Sequence, residues 1–379
     1  MRVSMIDPSL FTLPYDQALA TGMEAAGHRV TLFGRRPGPF DSNPPGVKLE
    51  HEFYRFTGSR VVSALPAKLR LAIKGVDHVW SMARLLRRLR RERPDVIHFQ
   101  WLPLPVVDSR MLAGFRRVAP LVLTVHDTNP FNGDPSARLQ TLGVLRCLQQ
   151  FGRLIVHTDQ GRSRLQAQGV DPARLVVLPH GPMPAAGHGG PDPMLGRLTF
   201  TLFGKIKPYK GAAVLIEAFA QLPPELRGQS QVRIIGKSYM DLAPLEALVR
   251  QHGLESQVRI EDRFVADDDL PEVFGPGVVA LFPYREIDTS GVLPQALAHG
   301  RPVVASGIGV FAETLRDGEH GYLVPPDDPA ALSAALAHFI GDRGFAAGCA
   351  RSALELSESG MSWQRIAEET VAAYRDAGA

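Results

Sequence analysis

Short apolar runs rich in β-branched residues alternate along the whole chain with longer segments of helical periodicity. This alternation predicts an α/β protein in which parallel strands are covered by helices. The strands predicted in the first half are Val3–Ile6, Arg29–Phe33, Val96–Phe99, Leu121–Val125, Arg153–Val156 and Leu175–Leu178, with a helix at Tyr15–Ala26. Those predicted in the second half are Thr199–Phe203, Val232–Ile235, Val258–Glu261, Val278–Phe282 and Pro302–Ala305.

A segment rich in Pro and Gly, Gly181–Gly196, separates the two halves and is typical of an interdomain linker. A chain of 379 residues is also too long for one hydrophobic core. We therefore predict an N-terminal domain at 1–183, a linker at 184–196 and a second domain at 197–360, with the terminal helix in 361–379 packing back on the first domain. The two domains would face each other across a cleft, with ligands at the carboxyl ends of their strands.

The composition, 45% hydrophobic and 21% charged residues, is that of a soluble globular protein. No apolar run reaches the roughly 18 residues that a spanning helix needs. The first residues lack the apolar region of a secretory signal, so we expect a cytoplasmic protein. Cys147 and Cys349 fall in different predicted domains and support neither a disulfide nor a zinc site, and we predict no metal site.

Basic residues are concentrated in residues 60–93, although the net charge of the chain is only +3. They are interleaved with apolar residues, including Trp80, in the pattern of an amphipathic helix. A solvated helix face explains this pattern, and peripheral contact with the anionic inner face of the cell membrane is the alternative. We expect no nucleic-acid binding, because no recognition fold or aromatic stacking platform accompanies the charges.

The segment Pro283–Ser306 has the pattern of a strand end, a short loop, a helix at Val292–Ala298 and a second strand. Its backbone N–H groups at Ser290, Gly291 and Val292 would lie at the helix N-terminus, where the macrodipole favours an anion. The segment therefore predicts a phosphate site. An ordinary capped βαβ unit is the alternative interpretation.

Three lysines, Lys205, Lys207 and Lys210, follow strand Thr199–Phe203 in the sequence FGKIKPYKG, just before an amphipathic helix. Cations are unfavourable near the positive end of a helix dipole unless an anion binds there. Two ammonium groups at this place can neutralise a diphosphate without a metal ion. We favour this interpretation over solvated lysines at a helix start.

Together, FGKIKPYKG and PYREIDTSGVLPQALAHGRPVVAS resemble the retaining glycosyltransferases of the GT-B fold, in particular glycosyltransferase family 4. The resemblance extends to AAGHRVTLF, TVHDTNP, IVHT, LPHG and GVFAETLRDGEHGYLVPPDDPAAL. It implies two Rossmann-like, doubly wound parallel-sheet domains. It also implies transfer of a sugar from a nucleotide-diphosphate donor, bound mainly by the second domain, to an acceptor held mainly by the first, with no cofactor.

The resemblance implies roles for residues of both domains. Those implied in catalysis are His126, Lys207, Lys210, Glu286 and Asp288; those implied in donor binding are Gly204, Lys205, Gly236, Lys237, Ser290, Gly291, Val292 and Gln295; and those implied in acceptor binding are Asp7, Tyr15, Asp127 and Asn129. The family's pair of glutamates is not intact, because Gln295 replaces the second and the first falls near Ile287. Glu286 or Asp288 would then supply the carboxylate, while the Gln295 amide can still hydrogen-bond a ribose hydroxyl.

The sequence therefore predicts a metal-independent enzyme that moves a hexosyl unit with retention of configuration. The expected acceptor is a saccharide or lipid-linked sugar in polysaccharide or glycolipid biosynthesis, and a natural product is the alternative acceptor. A nucleotide-sugar 2-epimerase would have the same general fold but would need no acceptor. The broken glutamate pair keeps open a non-catalytic nucleotide-sugar binding protein.

Overall fold

The computed structural model describes residues 1–38, 47–57, 65–128, 143–182 and 194–378. These residues form two compact units, one made of residues 1–179 with 363–379 and the other of residues 180–362. Each unit contains one sheet in which every strand pair is parallel. The predicted fold class, two doubly wound α/β domains, is confirmed. Within the described residues, no helix is both long enough and apolar enough to cross a membrane.

The sheet of the first unit has the strand order β3-β2-β1-β4-β5-β6-β7. Its strands are β1 (Arg2–Ile6), β2 (Arg29–Gly34), β3 (Lys48–His51), β4 (Val96–Phe99), β5 (Leu121–Val125), β6 (Arg153–Val156) and β7 (Leu175–Val177). Its helices, numbered along the whole chain, are α1 (Leu13–Ala25), α2 (Ala67–Glu92), α3 (Pro105–Arg116), α4 (Val144–Leu148), α5 (Asp159–Ala167) and α14 (Trp363–Asp376).

Both faces of this sheet are buried, as expected for parallel strands with helices on either side. Val3 and Met5 of β1 pack in a core that also contains residues of α1 and α14. Ile97 and Phe99 of β4 point to the other face, into a core shared with α2 and α3. The terminal helix α14 belongs to this unit: the hydroxyl of Tyr374 lies 2.7 Å from Nδ1 of His98 in β4.

The sheet of the second unit has the strand order β10-β9-β8-β11-β12-β13. Its strands are β8 (Leu198–Phe203), β9 (Ser230–Gly236), β10 (Val258–Asp262), β11 (Val278–Phe282), β12 (Val303–Ser306) and β13 (Gly321–Val324). Its helices are α6 (Ala212–Ala220), α7 (Pro224–Gly228), α8 (Ala243–Gln251), α9 (Leu270–Val273), α10 (Leu293–Ala298), α11 (Gly309–Thr314), α12 (Pro329–Gly341) and α13 (Arg343–Gly360).

Every predicted strand is present, and the ends differ by one or two residues at most. Two strands were not predicted, β3 and β13, and both lie at the edge of a sheet. The sequence of β3, KLEH, alternates without a strongly apolar face, and its side chains are half-buried or exposed. Edge strands bury less apolar surface than central strands, so the hydrophobic pattern that reveals a strand is weakest there.

Candidate functional site

The carboxyl ends of the strands in the second unit carry loops that touch one another. Gly211 and Gly236 have φ angles of 71° and 148°, which favour glycine. A Cβ atom at position 211 would collide with the carbonyl oxygen of Pro283, and one at position 236 with the carbonyl oxygen of Gly204. The lysine-rich loop after β8 is therefore packed directly against the loops that follow β9 and β11.

Lys210 is the buried member of this loop, with only 5% of its surface exposed. Its Nζ donates a hydrogen bond of 3.2 Å to the carbonyl oxygen of Phe203 and lies 5.1 Å from the ring centre of Tyr284. Burial, together with the charges of Lys205 and Lys207, lowers the pKa of Lys210 to about 7. A bound anion would oppose each of these effects, so the ammonium group is fully stabilised only when an anion is present.

Lys205, Lys207 and Lys210 form what we call the lysine cluster. The ammonium groups of Lys205 and Lys207 lie 5.8 and 5.9 Å from the ring centre of Tyr239. Lys205 is exposed and Lys207 is half-buried, so both can reach a ligand. The cluster concentrates positive charge beside the end of β8, as the predicted diphosphate site requires.

Gly204 links the lysine cluster to the start of α10. A Cβ atom at position 204 would lie 2.7 Å from Nζ of Lys210 and 3.3 Å from Cγ2 of Val292. The Oγ of Ser290 accepts a hydrogen bond of 3.2 Å from the N–H of Leu293, the first residue of α10. The N–H groups of Gly291 and Val292 precede the first turn, where N–H groups have no intrahelical acceptor. The structure thus brings two predicted anion-binding features together.

The other predicted catalytic and donor-binding residues of this unit lie in different surroundings. Asp288 is buried, whereas Glu286 is exposed, so the two candidate carboxylates are not equivalent. Lys237 follows β9, and its ammonium group forms an ion pair of 3.0 Å with Asp262. The amide of Gln295 is only 3% exposed, and neither its oxygen nor its nitrogen has a hydrogen-bond partner among the described residues. Buried polar groups nearly always have a partner, so this amide is suited to bind a ligand.

In the first unit, a chain of hydrogen bonds runs across the carboxyl ends of the strands. His126, directly after β5, contacts Oε1 of Gln100 through Nε2 at 3.0 Å. Its Nδ1 lies 3.1 Å from Nε2 of His157, which follows β6. Nδ1 of His157 in turn donates to the carbonyl oxygen of Leu178 at 3.0 Å. The ring of His126 is therefore held on both sides.

These contacts restrict where the protons of the two rings lie. Oxygen atoms stand at both ends of the chain and can only accept, so Nε2 of His126 and Nδ1 of His157 each carry a proton. The contact between Nδ1 of His126 and Nε2 of His157 needs a third proton, on one of these two nitrogens. With the Gln100 amide in this orientation, the three contacts therefore use three ring protons. Rotation of the Gln100 amide by a half turn gives the other consistent arrangement, a neutral pair.

The predicted acceptor residues have different placements. Tyr15 is buried beneath the histidines, with its ring centre 4.7 Å from that of His126. Asp7 is also buried, and its carboxylate accepts hydrogen bonds from the N–H groups of Ser9 and Thr12. Burial raises the pKa of Asp7. Neither side chain is accessible to an acceptor in this structure, since Asp7 is 0% and Tyr15 1% exposed. Asn129 lies outside the described residues.

A cavity of about 680 Å³ opens beside His126, and we call it the apolar cavity. Gln100, His126 and Asp127 line it at the sheet edge. Most of the other lining residues are apolar and include Trp101, Leu102, Leu104, Leu123 and Leu148. Cavities of this size and character, with a few polar groups converging at one place, are the usual form of a small-molecule site.

The sequence interpretation assigned no role to Gln100 or His157. Each directly follows a strand of the sheet, the position at which sites are built in such folds. This position after a strand was the one feature of the sequence that could have identified Gln100 and His157 as candidate site residues. Their link to His126 depends on which strands are neighbours, and β4, β5 and β6 are adjacent only in the folded sheet.

Comparison with known families places both units in one group of enzymes. Residues 197–342 match a family described as glycosyl transferases group 1, and residues 14–181 match the glycosyl transferase 4-like domain. The chain is 30% identical to a D-inositol 3-phosphate glycosyltransferase of Geodermatophilus obscurus over 325 residues, which cover 77% of this chain and 69% of that protein. A protein of the same name from Actinosynnema mirum is 28% identical, covering 94% of this chain and 90% of its own length.

Solved structures agree on the fold. The structure of Anabaena Alr3699/HepE in complex with UDP and glucose has a TM-score of 0.73 at 18% identity, covering 98% of each chain. WaaG, a glycosyltransferase involved in lipopolysaccharide biosynthesis, has a TM-score of 0.66 at 17% identity and full coverage of both chains. The chain belongs to the group 1 glycosyltransferases of family 4, which have the GT-B fold. It is a glycosyltransferase.

The lowered pKa of Lys210 predicts proton uptake on anion binding. At pH 8 this amine is mostly neutral, because its pKa is about 7. A bound pyrophosphate raises that pKa, so binding should take up roughly one proton per molecule, and affinity should fall as the pH rises above about 7. Calorimetry at pH 8 in buffers of different ionisation enthalpy counts the protons. Lys210→Met should abolish the uptake, whereas Lys48→Met, at an exposed lysine of the first unit, should retain it. Equal uptake by wild type and Lys210→Met would contradict the assignment.

The histidine pair predicts that His157 orients His126 for sugar transfer. His157→Asn removes the contact to Nδ1 of His126, and we expect kcat to fall about tenfold or more through misorientation. Pyrophosphate affinity should stay unchanged, because the lysine cluster lies in the other unit. His252→Asn, at an exposed histidine, is the matched control. Nitrogen-15 NMR of the imidazoles should show a changed tautomer or charge at His126, and an unchanged spectrum with unchanged kcat would refute the role.

Proposed function

We propose that the enzyme transfers a hexosyl unit from a nucleoside-diphosphate sugar, with retention of configuration and without a metal ion. The observation that carries the proposal is the buried amine of Lys210 beside Lys205, Lys207 and the start of α10. A diphosphate would place negative charge beside these three ammonium groups. Similarity to a structure that holds UDP and glucose supports UDP as the first nucleotide to test.

The proposed roles of the basic groups follow from the place where negative charge develops during the reaction. As the bond between the sugar and the diphosphate breaks, negative charge grows on the departing phosphate oxygens. Lys207, Lys210 and the N–H groups of Gly291 and Val292 would stabilise this charge without reorganising, which is the largest contribution in many enzymes. In a retaining transfer the acceptor hydroxyl attacks the face from which the diphosphate leaves. His126 would be a catalytic residue of this transfer, as the family resemblance implies.

We assign the acceptor to the first unit. The apolar cavity ends at Gln100, His126 and Asp127, which can hydrogen-bond a hydroxyl group. A saccharide or a lipid-linked sugar fits this mixture of apolar wall and polar end. Two curated relatives are named for a phosphorylated cyclitol acceptor, which supports a small hydroxylated acceptor group.

The proposal predicts that Lys210→Ala lowers turnover by about 10²-fold or more, as expected when one preorganised charge-stabilising donor is lost. A panel of UDP-, GDP-, ADP- and TDP-sugars should first identify the donor, and proton NMR of the product should show the same anomeric configuration as in the donor. The transferase should remain active when EDTA removes metal ions from the assay. Lys48→Ala, which removes an exposed lysine of the first unit paired with Glu50, is the control and should retain most of its activity.

Other outcomes of this experiment favour the alternatives. Conversion of the donor sugar in the absence of any acceptor would indicate an epimerase. Tight nucleotide binding without turnover on any donor would indicate a binding protein, and Gln295→Glu would then test whether a restored carboxylate restores transfer. Near-normal turnover of Lys210→Ala would contradict the proposed role of the lysine cluster.

We also propose that α2 brings the enzyme to anionic membranes. Leu69, Val76 and Trp80 follow the spacing of one helix face, and Val76 and Trp80 are 72% and 56% exposed. The same face continues with the exposed Arg87 and Arg91. Helices with exposed apolar and basic residues on one side bind the lipid interface. This arrangement supports a lipid-linked acceptor.

Vesicle cosedimentation tests this surface. Wild-type protein should bind phosphatidylglycerol vesicles at low salt and release them at high salt, because the attraction is partly electrostatic. Trp80→Glu should weaken binding about tenfold, since it places a carboxylate in the interface. Leu195→Glu, at an apolar residue of the second unit with similar exposure, is the control. No binding by the wild type would leave a soluble acceptor as the better interpretation.

A further inference from the structure

A buried chain of hydrogen bonds continues from the His126 site into the first sheet. Gln100, whose side-chain oxygen lies 3.0 Å from Nε2 of His126, places its side-chain nitrogen 3.4 Å from Nδ1 of His98 in β4. The same Nδ1 lies 2.7 Å from the hydroxyl of Tyr374 in α14, and Nε2 of His98 lies 2.8 Å from Oγ1 of Thr124 in β5. The chain joins the terminal helix to the histidine pair.

The inner members of this chain are shielded from bulk water. His98 and Gln100 are 0% exposed, and Thr124 and Tyr374 are almost as deeply buried. An unmade hydrogen bond among them would therefore be costly. Burial also lowers the pKa of His98 to about 3. At neutral pH His98 is thus an uncharged imidazole, with one nitrogen that donates and one that accepts.

The partners of His98 favour a proton on Nε2. In that form Nε2 donates to Thr124, and Nδ1 accepts from the hydroxyl of Tyr374 and from the amide nitrogen of Gln100. With the proton on Nδ1 instead, the Tyr374 hydroxyl would have to donate to Sδ of Met23, at 3.8 Å, and a thioether sulfur is a weak acceptor. The amide nitrogen of Gln100 would then face an N–H group. The form with the proton on Nε2 is therefore the more stable one.

The acceptor nitrogen of His98 decides which way the Gln100 amide points. The two orientations of an amide differ by a half turn, and the hydrogen-bond partners select between them. Nδ1 of His98 attracts the amide nitrogen and repels the amide oxygen. The oxygen is thereby directed to Nε2 of His126, which must carry a proton to make the contact of 3.0 Å. The half-turned amide, which the contacts of His126 alone would allow, is disfavoured by His98.

We propose that His98 is a positioning residue for sugar transfer, because its acceptor nitrogen fixes the amide of Gln100, which in turn keeps a proton on Nε2 of His126. The inference rests on the proposed function, in which His126 is a catalytic residue. The hydrogen bonds of an imidazole determine which of its nitrogens carries a proton. Orientation of a catalytic group contributes to the rate even when the residue that provides it does not touch the substrate.

Nitrogen-15 NMR of the intact protein, labelled at histidine, tests this arrangement without any substrate. His98 should appear as a neutral ring protonated at Nε2, and His126 should carry a proton on Nε2. Comparison with the spectra of His98→Gln and His126→Gln assigns the two rings. A His98 ring protonated at Nδ1 would overturn the inference, because the amide nitrogen of Gln100 would then lose its acceptor. An Nε2 of His126 without a proton would also overturn it.

Two substitutions of His98 separate positioning from stability. His98→Asn keeps an oxygen that can accept close to the place of Nδ1, whereas His98→Gln carries its amide to the place of Nε2 and offers Gln100 no acceptor. Both replace a buried ring by a neutral amide, so both should lower the melting temperature. We expect kcat to fall about tenfold or more in His98→Gln and less than about threefold in His98→Asn. The nitrogen-15 signals of His126 should change in His98→Gln.

His320→Gln is the matched control, because His320 is a buried histidine of the second unit whose Nδ1 accepts a hydrogen bond from the N–H of Arg316. It should lose stability but keep both kcat and the signals of His126. Equal kcat in His98→Asn and His98→Gln, at a temperature where both are folded, would overturn the inference. Absence of turnover by the wild type on every donor would instead count against the proposed function, and the spectra would still decide the role of His98.

Discussion

Close backbone contact at one edge of the second sheet determines the site that the rest of that unit supports. The loops after β8, β9 and β11 approach so closely that positions 204, 211 and 236 have no room for a side chain. This contact presses Lys210 against the carbonyl oxygen of Phe203 and the ring of Tyr284. A buried amine costs folding free energy unless a negative charge compensates it. This cost supports the proposal that an anion binds beside Lys210.

The cost of burying a charged group also bears on Gln295, which stands where the family has a glutamate. Its amide is buried and lacks a partner among the described residues. A carboxylate in that position would be far more expensive to desolvate than a neutral amide. The amide can still donate to and accept from ribose hydroxyl groups, so the substitution keeps hydrogen bonding while lowering the cost of an empty site.

In the first unit, the carboxyl ends of the strands carry hydrogen-bonded polar side chains and no lysine cluster among the described residues. Its strands end in Gln100, His126 and His157, which hold one another through directed hydrogen bonds. The neighbouring apolar cavity supplies a mostly apolar surface. In the proposed function, leaving-group stabilisation therefore belongs to one unit and acceptor recognition to the other. An acceptor can then change in evolution without disturbing the diphosphate site, because separate residues bind the two substrates.

Local pattern was sufficient for the parallel α/β fold, the strands of both sheets except the polar β3 and the short β13, and the lysine and Ser290–Val292 motifs. The fold class, these strands and both motifs are encoded by residues that are close together in the sequence. The burial of Lys210, the contact between His126 and His157 and the apolar cavity depend on which strands lie side by side. Such contacts join residues far apart in the chain, and periodicity carries no information about them. Only the tertiary structure, through packing at the carboxyl ends of the strands, decided the lowered pKa of Lys210 and the shape of the cavity beside His126.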